Sequence, residues 1–278
     1  MFIDQLKTVF YLGILSFIFL IIGFAIGGNT GIIIALIFSL IINTISYWYS
    51  DKIVLKIYNA HHAEYSQYTR LHDIVIDVST RASIHKPKLY IINSQTPNAF
   101  ATGRNEKNAT IVVTEGILTL LNDQELKAVI AHEIAHIKNK DLLISTVSVV
   151  IASAIAYIAL LARIVTFSSP DENNSPGFFE LLLLTLIAPI SATILRLAIS
   201  RSREYVADDT GAKIIKDADS LSEAIIKIEN SPKIKSGNPA SANLFIVNPF
   251  SGKTIMKLLS THPSTNERIK RLRKLSFN

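Results

Sequence analysis

The stretch "AHEIAHIKNKDLLISTVSVV" (131–150) joins a metal-binding pattern to an apolar segment. His132, Glu133 and His136 have the spacing H-E-x-x-H, which on a helix places both histidines on one face, one turn apart. Two imidazoles can then reach one zinc ion, while the glutamate lies beside a water on the metal. The last nine residues carry no charge. The spacing therefore predicts a catalytic zinc helix that leads directly into a membrane.

We expect the two halves of this stretch to form one continuous helix. Upstream, Asn122 can cap it and Glu125 can complete a capping box. Between the halves, Lys138 and Lys140 would lie at the level of the lipid headgroups.

Long uncharged runs predict four membrane spans. No Asp, Glu, Lys or Arg occurs over residues 8–50, and one span needs about 20 residues. We therefore expect spans at about 8–27 and 31–50, separated by the turn "GGNTG". Two later runs predict spans at about 142–163 and 180–200. The composition agrees, since 18% of the residues are charged, against about 25% in soluble domains.

The charges outside these runs orient the spans. The loop between the third and fourth spans carries only Asp171 and Glu172, whereas the segments after the second and fourth spans hold most of the Lys and Arg. Both termini and both polar segments are therefore predicted to be cytoplasmic. A cleaved signal peptide over residues 1–28 is disfavoured by its long apolar core. A transporter is disfavoured because only Arg163 and Arg196 approach the spans, both near helix ends.

The prediction divides the chain into an N-terminal hairpin (1–50), a cytoplasmic catalytic part (51–141), a second hairpin (142–200) and a cytoplasmic part (201–278). In the catalytic part we expect a helix from Tyr58 to Ala82, followed by at least three strands at "KLYII", "NAFATG" and "TIVVT". The predicted fold is an α+β membrane protein, in which the H-E-x-x-H helix and a small sheet form a zincin-like domain.

The net charge of +6 is mostly dispersed along the chain, so we expect no nucleic-acid partner. The one dense run, "RIKRLRK" (268–274), is either a solvated helix face or a contact with anionic lipid headgroups. The chain has no cysteine, which excludes disulfides and thiolate metal ligands.

A catalytic zinc ion needs a third protein ligand. Glu204 and Asp208 follow the fourth predicted span at spacing i, i+4. Glu204 lies about 6 Å beyond that span and His136 about 9 Å before the third. An antiparallel hairpin would bring them to one side at similar height, so Glu204 is the favoured ligand. His262 is another candidate, and a solvated acidic face is the alternative for the acidic pair.

"HEIAH", a two-span hairpin and "REYVAD" together resemble the HtpX-like membrane zinc endopeptidases, which are related to the CAAX prenyl endopeptidases. "PNAFATG" (97–103) and "THPSTNERI" (261–269) extend the resemblance over nearly the whole chain. The resemblance implies one Zn²⁺ per chain, bound by His132, His136 and Glu204. It also implies that Glu133 is the general base and that Asp208 is the acid that supports the site.

The resemblance also implies a multi-pass protein of a prokaryotic cell (inner) membrane that acts in stress response and protein quality control. Its partners would be the lipid bilayer and unfolded or membrane protein substrates, above all misfolded or damaged membrane proteins. A processing protease with a dedicated substrate, such as a lipidated protein, is the rival enzyme. A catalytically silent scaffold with a structural zinc, closed by His262 as fourth ligand, is the rival from another class.

In the expected reaction, zinc polarises the scissile carbonyl and Glu133 moves a proton from water to the leaving amine. His262 or Arg268 could stabilise the oxyanion, although His262 could equally be a structural residue at a helix start. The remaining candidates form an edge strand that pairs with an extended substrate; the alternative is an ordinary strand that ends in a glycine turn. These candidates are Asn98, Ala99 and Phe100.

Overall fold

A computed structural model describes residues 2–143, 145–147, 201–232 and 263–277. The predicted span at 180–200, the predicted span at 142–163 beyond residue 147, and His262 lie outside the described residues.

The N-terminal helix α1, Phe2–Ile57, doubles back on itself. The Asn43 side-chain amide donates to the Leu12 carbonyl oxygen at 3.3 Å and to the Ser16 hydroxyl at 2.8 Å. A straight helix would separate Asn43 from Leu12 by roughly 46 Å. Gly28 has φ +54°, a conformation that glycine adopts without steric cost. The chain therefore reverses within "GGNTG", at the predicted turn.

Apolar side chains cover the outside of this helical hairpin, among them Phe17, Ile33 and Leu40, each more than half exposed. Within the described residues one window, Gly28–Ile45, is long and apolar enough to cross a membrane by length and composition. The four predicted spans stay a prediction.

The sheet is small and mixed. Its strands are β1 (His61–His62), β2 (Lys88–Ile92), β3 (Ala99–Gly103) and β4 (Ala109–Thr114), in the order β1-β2-β4-β3. β2 and β4 are parallel, and the other two pairs are antiparallel. The three predicted strands and the α+β class are thus confirmed, and β3 is the last strand of the sheet.

The predicted helix from Tyr58 to Ala82 is wrong over residues 58–68. Helix α2 covers Thr69–Ala82. α1 ends at Ile57, where Asn59 takes a left-handed φ of +50°, and the next residues pair with β2 as strand β1. The turn at Asn59 and the pairing of His61 and His62 with β2 exclude a helix here. The amphipathic pattern that predicted the helix applies only to the residues of α2.

The remaining helices surround α4, Asp123–Lys138. They are α3 (Glu115–Leu120), α5 (Arg201–Ile215), α6 (Asp219–Glu229) and α7 (Thr265–Leu272). The predicted capping box at the start of α4 is confirmed: Asn122 accepts from the Glu125 N–H, and the Glu125 carboxylate accepts from the Asn122 N–H. Because α4 packs against α2, the sheet, α5 and α6, most of its residues are buried.

The predicted continuous helix from α4 into the membrane is wrong. α4 ends at Lys138, and residues 142–143 and 145–147 form a separate helical segment. Between them Lys140 adopts φ +63°, its N–H bonds to the Ile137 carbonyl, and the Asp141 N–H bonds to the His136 carbonyl. This pair of bonds is the Schellman arrangement that ends helices. Lys138 donates to the Ala82 carbonyl at 3.1 Å.

Candidate metal centre

Two neighbouring helices bring His132, His136 and Glu204 together. One ligand atom from each side chain lies within 4.8 Å of the others. The two Nε2 atoms are 3.2 Å apart. The Glu204 carboxylate lies 3.8 Å from His132 Nε2 and 3.6 Å from His136 Nε2. The predicted third ligand is thus adjacent to the predicted first two.

The donor set and spacing suit a zinc ion. Ligand atoms about 2.1 Å from a tetrahedral metal lie about 3.4 Å apart, close to the three distances found here. His132 and Glu204 are almost completely buried, whereas the His136 side chain is 17% exposed. The cluster therefore fits one ion, with its partly open side at His136.

A glycine allows the two helices to approach. A Cβ on Gly211 of α5 would lie 2.9 Å from the His132 backbone nitrogen and 3.0 Å from the Ala131 carbonyl carbon. A larger residue at this position would push α5, and Glu204 with it, away from α4. No local sequence pattern marks this glycine as part of the site.

A buried chain of charges supports His132. Its Nδ1 lies 2.9 Å from the Asp208 carboxylate, which leaves Nε2 directed toward Glu204 and His136. Arg268 of α7 donates from Nε and Nη2 to the two Asp208 oxygens at 2.8 and 2.7 Å. Burial alone would raise the pKa of Asp208, but Arg268 and His132 outweigh it and lower that pKa. Arg268 and His132 therefore favour the ionised form of the Asp208 carboxylate.

Asp141 supports the second histidine in the same way, although the sequence did not predict this role for it. His136 Nδ1 lies 3.3 Å from Asp141 Oδ2. Burial opposes a charge on His136, but Asp141, Glu204 and Glu133 together raise the pKa of its imidazole to about 9. The contact depends on the turn after α4, which the continuous-helix prediction had excluded.

Glu133 lies between the metal cluster and the sheet. It is 4% exposed. Burial raises the pKa of this carboxyl above its ordinary value, although His132, His136 and a hydrogen bond from the Ala101 backbone oppose the shift. The last strand of the sheet, β3, therefore contacts the residue predicted to be the base.

The predicted edge-strand residues are themselves covered by protein. Asn98, Ala99 and Phe100 are at most 3% exposed. The ring of Phe100 lies 5.3 Å from that of Tyr58, beside Val54 at the end of α1. Their predicted contact with substrate, like the predicted roles of His262 and Arg268 at the oxyanion, stays a prediction.

The basic run at the C-terminus presents a charged face to solvent. Lys270, Arg271, Arg273 and Lys274 are exposed, while Arg268 and Leu272 are buried.

Comparison with known proteins places these features in a family. Residues 66–276 match the family described as Peptidase family M48. A "Protease HtpX homolog" of Persephonella marina is 47% identical and aligns over 96% of each chain. Another of the same description, from Pyrococcus furiosus, is 49% identical over 92% of this chain and 90% of its own.

A solved structure shares the fold. The crystal structure of S. mikatae Ste24p aligns with 98% of this chain at a TM-score of 0.51 and 20% identity. This chain spans 66% of that longer one.

The extent of the family match and the identity to these relatives exceed what a shared fold alone would give. The chain therefore belongs to peptidase family M48, and it is an HtpX-like membrane metallopeptidase.

Proposed function

We propose that the chain is a zinc-dependent endopeptidase, with the ion held by His132, His136 and Glu204. The observation that carries this proposal is the convergence of two imidazoles and one carboxylate within 4.8 Å. Two histidines with one glutamate are a ligand set of catalytic zinc sites, which keep a position open for water. A structural site would be closed by a fourth protein ligand, and the partial exposure of His136 supports the open site.

Glu133 is the proton carrier in this proposal. The chemistry that zinc supplies when bound is polarisation of the scissile carbonyl and a lowered pKa of the attacking water. A buried carboxylate whose pKa is raised can accept a proton from that water near neutral pH and return it to the leaving amine. The hydrogen bond from the Ala101 backbone to Glu133 restrains the orientation of the carboxylate for both transfers.

Asp208 and Arg268 hold the site together. When His132 binds a metal through Nε2, its Nδ1–H can donate to Asp208, which fixes the ring and its tautomer. The two-point contact from Arg268 fixes Asp208 in turn. We therefore assign Arg268 a positioning role, and oxyanion stabilisation by Arg268 or His262 remains a further part of the proposal.

The proposed substrate segment is extended and pairs with β3. The place of β3 at the end of the sheet and its contact with Glu133 support this arrangement, because a paired substrate strand would pass beside the base. Asn98, Ala99 and Phe100 are at most 3% exposed as whole residues, so a substrate strand could pair with this strand if the segments that cover it moved aside, and recognition would then rest on main-chain bonds. Such recognition tolerates many substrate sequences, as the removal of damaged proteins requires.

We further propose that the substrates are misfolded or damaged membrane proteins in a prokaryotic cell membrane. Four spans, in the hairpins 1–50 and 142–200, would place both termini and the active site in the cytoplasm. The catalytic part would be 51–141 and the part with the third ligand 201–278. The exposed apolar surface of the N-terminal hairpin and the short connection from α4 to residue 142 support a site at the membrane surface.

Purified protein in detergent, stripped with a chelator and then given zinc, tests this proposal. It should cleave an unfolded membrane protein faster than the same protein when folded, and Glu133→Gln should cleave neither. Glu64→Gln is the matched control, because the Glu64 side chain is exposed and its carboxylate pairs with the exposed His62. Equal cleavage by wild type and Glu133→Gln would contradict the enzymatic proposal. Equal cleavage of folded and unfolded substrate would contradict the substrate class.

A further inference from the structure

Both histidines of the metal cluster have a carboxylate at the ring nitrogen that faces away from the cluster. For His132 this partner is Asp208, one turn beyond Glu204 on α5. For His136 it is Asp141, which lies on the chain segment that leaves α4. The two carboxylates come from different elements, so each imidazole is oriented by its own support.

Asp141 reaches His136 because the chain turns sharply at Lys140. In a continuous helix, residues five apart point about 140° away from each other around the axis, so Asp141 could not contact the His136 ring. The left-handed φ of Lys140, +63°, folds the chain back, and the Asp141 N–H then bonds to the His136 carbonyl at 3.0 Å. The backbone N–H and the side-chain carboxylate of Asp141 therefore both contact His136.

The Asp141 carboxylate is placed as an orienting partner and not as a surface charge. Asp141 is 8% exposed, and a carboxylate so buried requires a hydrogen-bonding partner. Its carbonyl accepts from the Ser145 N–H and hydroxyl, at 3.4 and 3.2 Å. Asp141 therefore joins the metal cluster to the helical segment that begins at residue 142.

We propose that Asp141 is a positioning residue for the metal centre, holding the His136 imidazole with Nε2 directed at the ion. The inference deepens the proposed function and rests on it. An orienting carboxylate behind a ligating histidine fixes the tautomer and raises ligand basicity, and its loss costs about 10–100-fold in metal affinity. The contact also makes the geometry of the site depend on how the chain enters the membrane-directed segment.

The test compares zinc affinities by chelator competition in Asp141→Ala, Asp141→Asn and wild type. We expect a dissociation constant about 10–100-fold higher for Asp141→Ala. Asp141→Asn should lose less, because the amide oxygen can still accept from His136 Nδ1–H. Asp123→Asn, the same substitution at the exposed start of α4, should bind zinc as wild type does.

A second variant tests whether the side chain at the left-handed turn, apart from the Asp141 carboxylate, matters for zinc binding. Lys140→Gly removes the steric cost of the left-handed φ and keeps the Asp141 carboxylate, so this variant should retain zinc affinity. Unchanged zinc affinity in Asp141→Ala would overturn the inference, as would an equal loss in Asp123→Asn. If wild type itself binds no zinc, the proposed function fails; if wild type binds and cleaves while Asp141→Ala does the same, only this inference fails.

Discussion

Removing the Arg268 guanidinium should cost more stability than any other single charge change in the C-terminal helix. Arg268 is 1% exposed and donates to both oxygens of Asp208, which is 2% exposed. Arg268→Leu would leave that carboxylate buried without its guanidinium partner, although His132 would still lie 2.9 Å away. Breaking a buried ion pair in this way costs about 3–5 kcal/mol, a large share of the roughly 5–15 kcal/mol that stabilises a typical protein.

Thermal unfolding in detergent, with the metal removed, measures this loss. For a protein of this size about 1 kcal/mol lowers Tm by roughly 2–4 °C, so Arg268→Leu should lower Tm by roughly 6–20 °C. Arg273→Leu is the matched control, since Arg273 is exposed on the same C-terminal segment; it should change stability by less than about 0.5 kcal/mol.

The pH dependence supplies an independent check. In the wild type the pKa of Asp208 is lowered, so its stabilisation is present above the unfolded pKa of about 3.9 and is lost as pH falls below it. Without Arg268, His132 alone of these two groups still opposes the effect of burial on that pKa, so we expect the pKa to rise and Asp208 to protonate more readily as pH falls. The deficit of Arg268→Leu should therefore shrink from pH 8 to pH 5. A Tm within about 3 °C of wild type at pH 8 would refute the reasoning.

Three further outcomes are expected. Zinc affinity should rise about tenfold per pH unit from pH 6.5 up to about 9 and then level off. The reason is that the metal displaces a proton from His136, whose pKa is about 9. Chelator competition at several pH values measures this affinity, and a flat profile would contradict the prediction. Gly211→Val should destabilise the protein by about 1–3 kcal/mol and weaken zinc binding, because its side chain would meet the His132 backbone. Gly13→Val, at a position with no neighbour within 4 Å, should do neither, and equal effects of the two variants would refute the close-approach argument.

The sequence was most informative where spacing alone determines geometry. H-E-x-x-H on a capped helix predicts that His132 and His136 face one point, and the structure places their Nε2 atoms 3.2 Å apart. Glu204 could be predicted although it is distant in sequence, because the antiparallel hairpin expected over residues 142–200 would restrict where its two ends emerge. The capping box of α4 and the strands β2, β3 and β4 were likewise readable from local patterns.

The sequence was least informative where a single backbone angle decides the structure. Lys140 adopts a left-handed φ that glycine or asparagine usually supplies, so nothing in its side chain predicts the end of α4 or the contact between Asp141 and His136. The role of Gly211 depends on which helix crosses α4 at His132, a tertiary fact. The position of Asp141 just after the H-E-x-x-H helix could have indicated a role at the site. The predicted continuous helix, however, would have directed its side chain away from His136.

Zinc content and cleavage should be measured together for wild type, Glu133→Gln and Glu204→Ala. If His132, His136 and Glu204 hold one zinc ion and Glu133 moves the proton, wild type binds one zinc per chain and cleaves an unfolded protein. Glu133→Gln should then keep the zinc and lose cleavage, and Glu204→Ala should lose both. Stoichiometric zinc in Glu204→Ala, or cleavage by Glu133→Gln at the wild-type rate, would contradict the account.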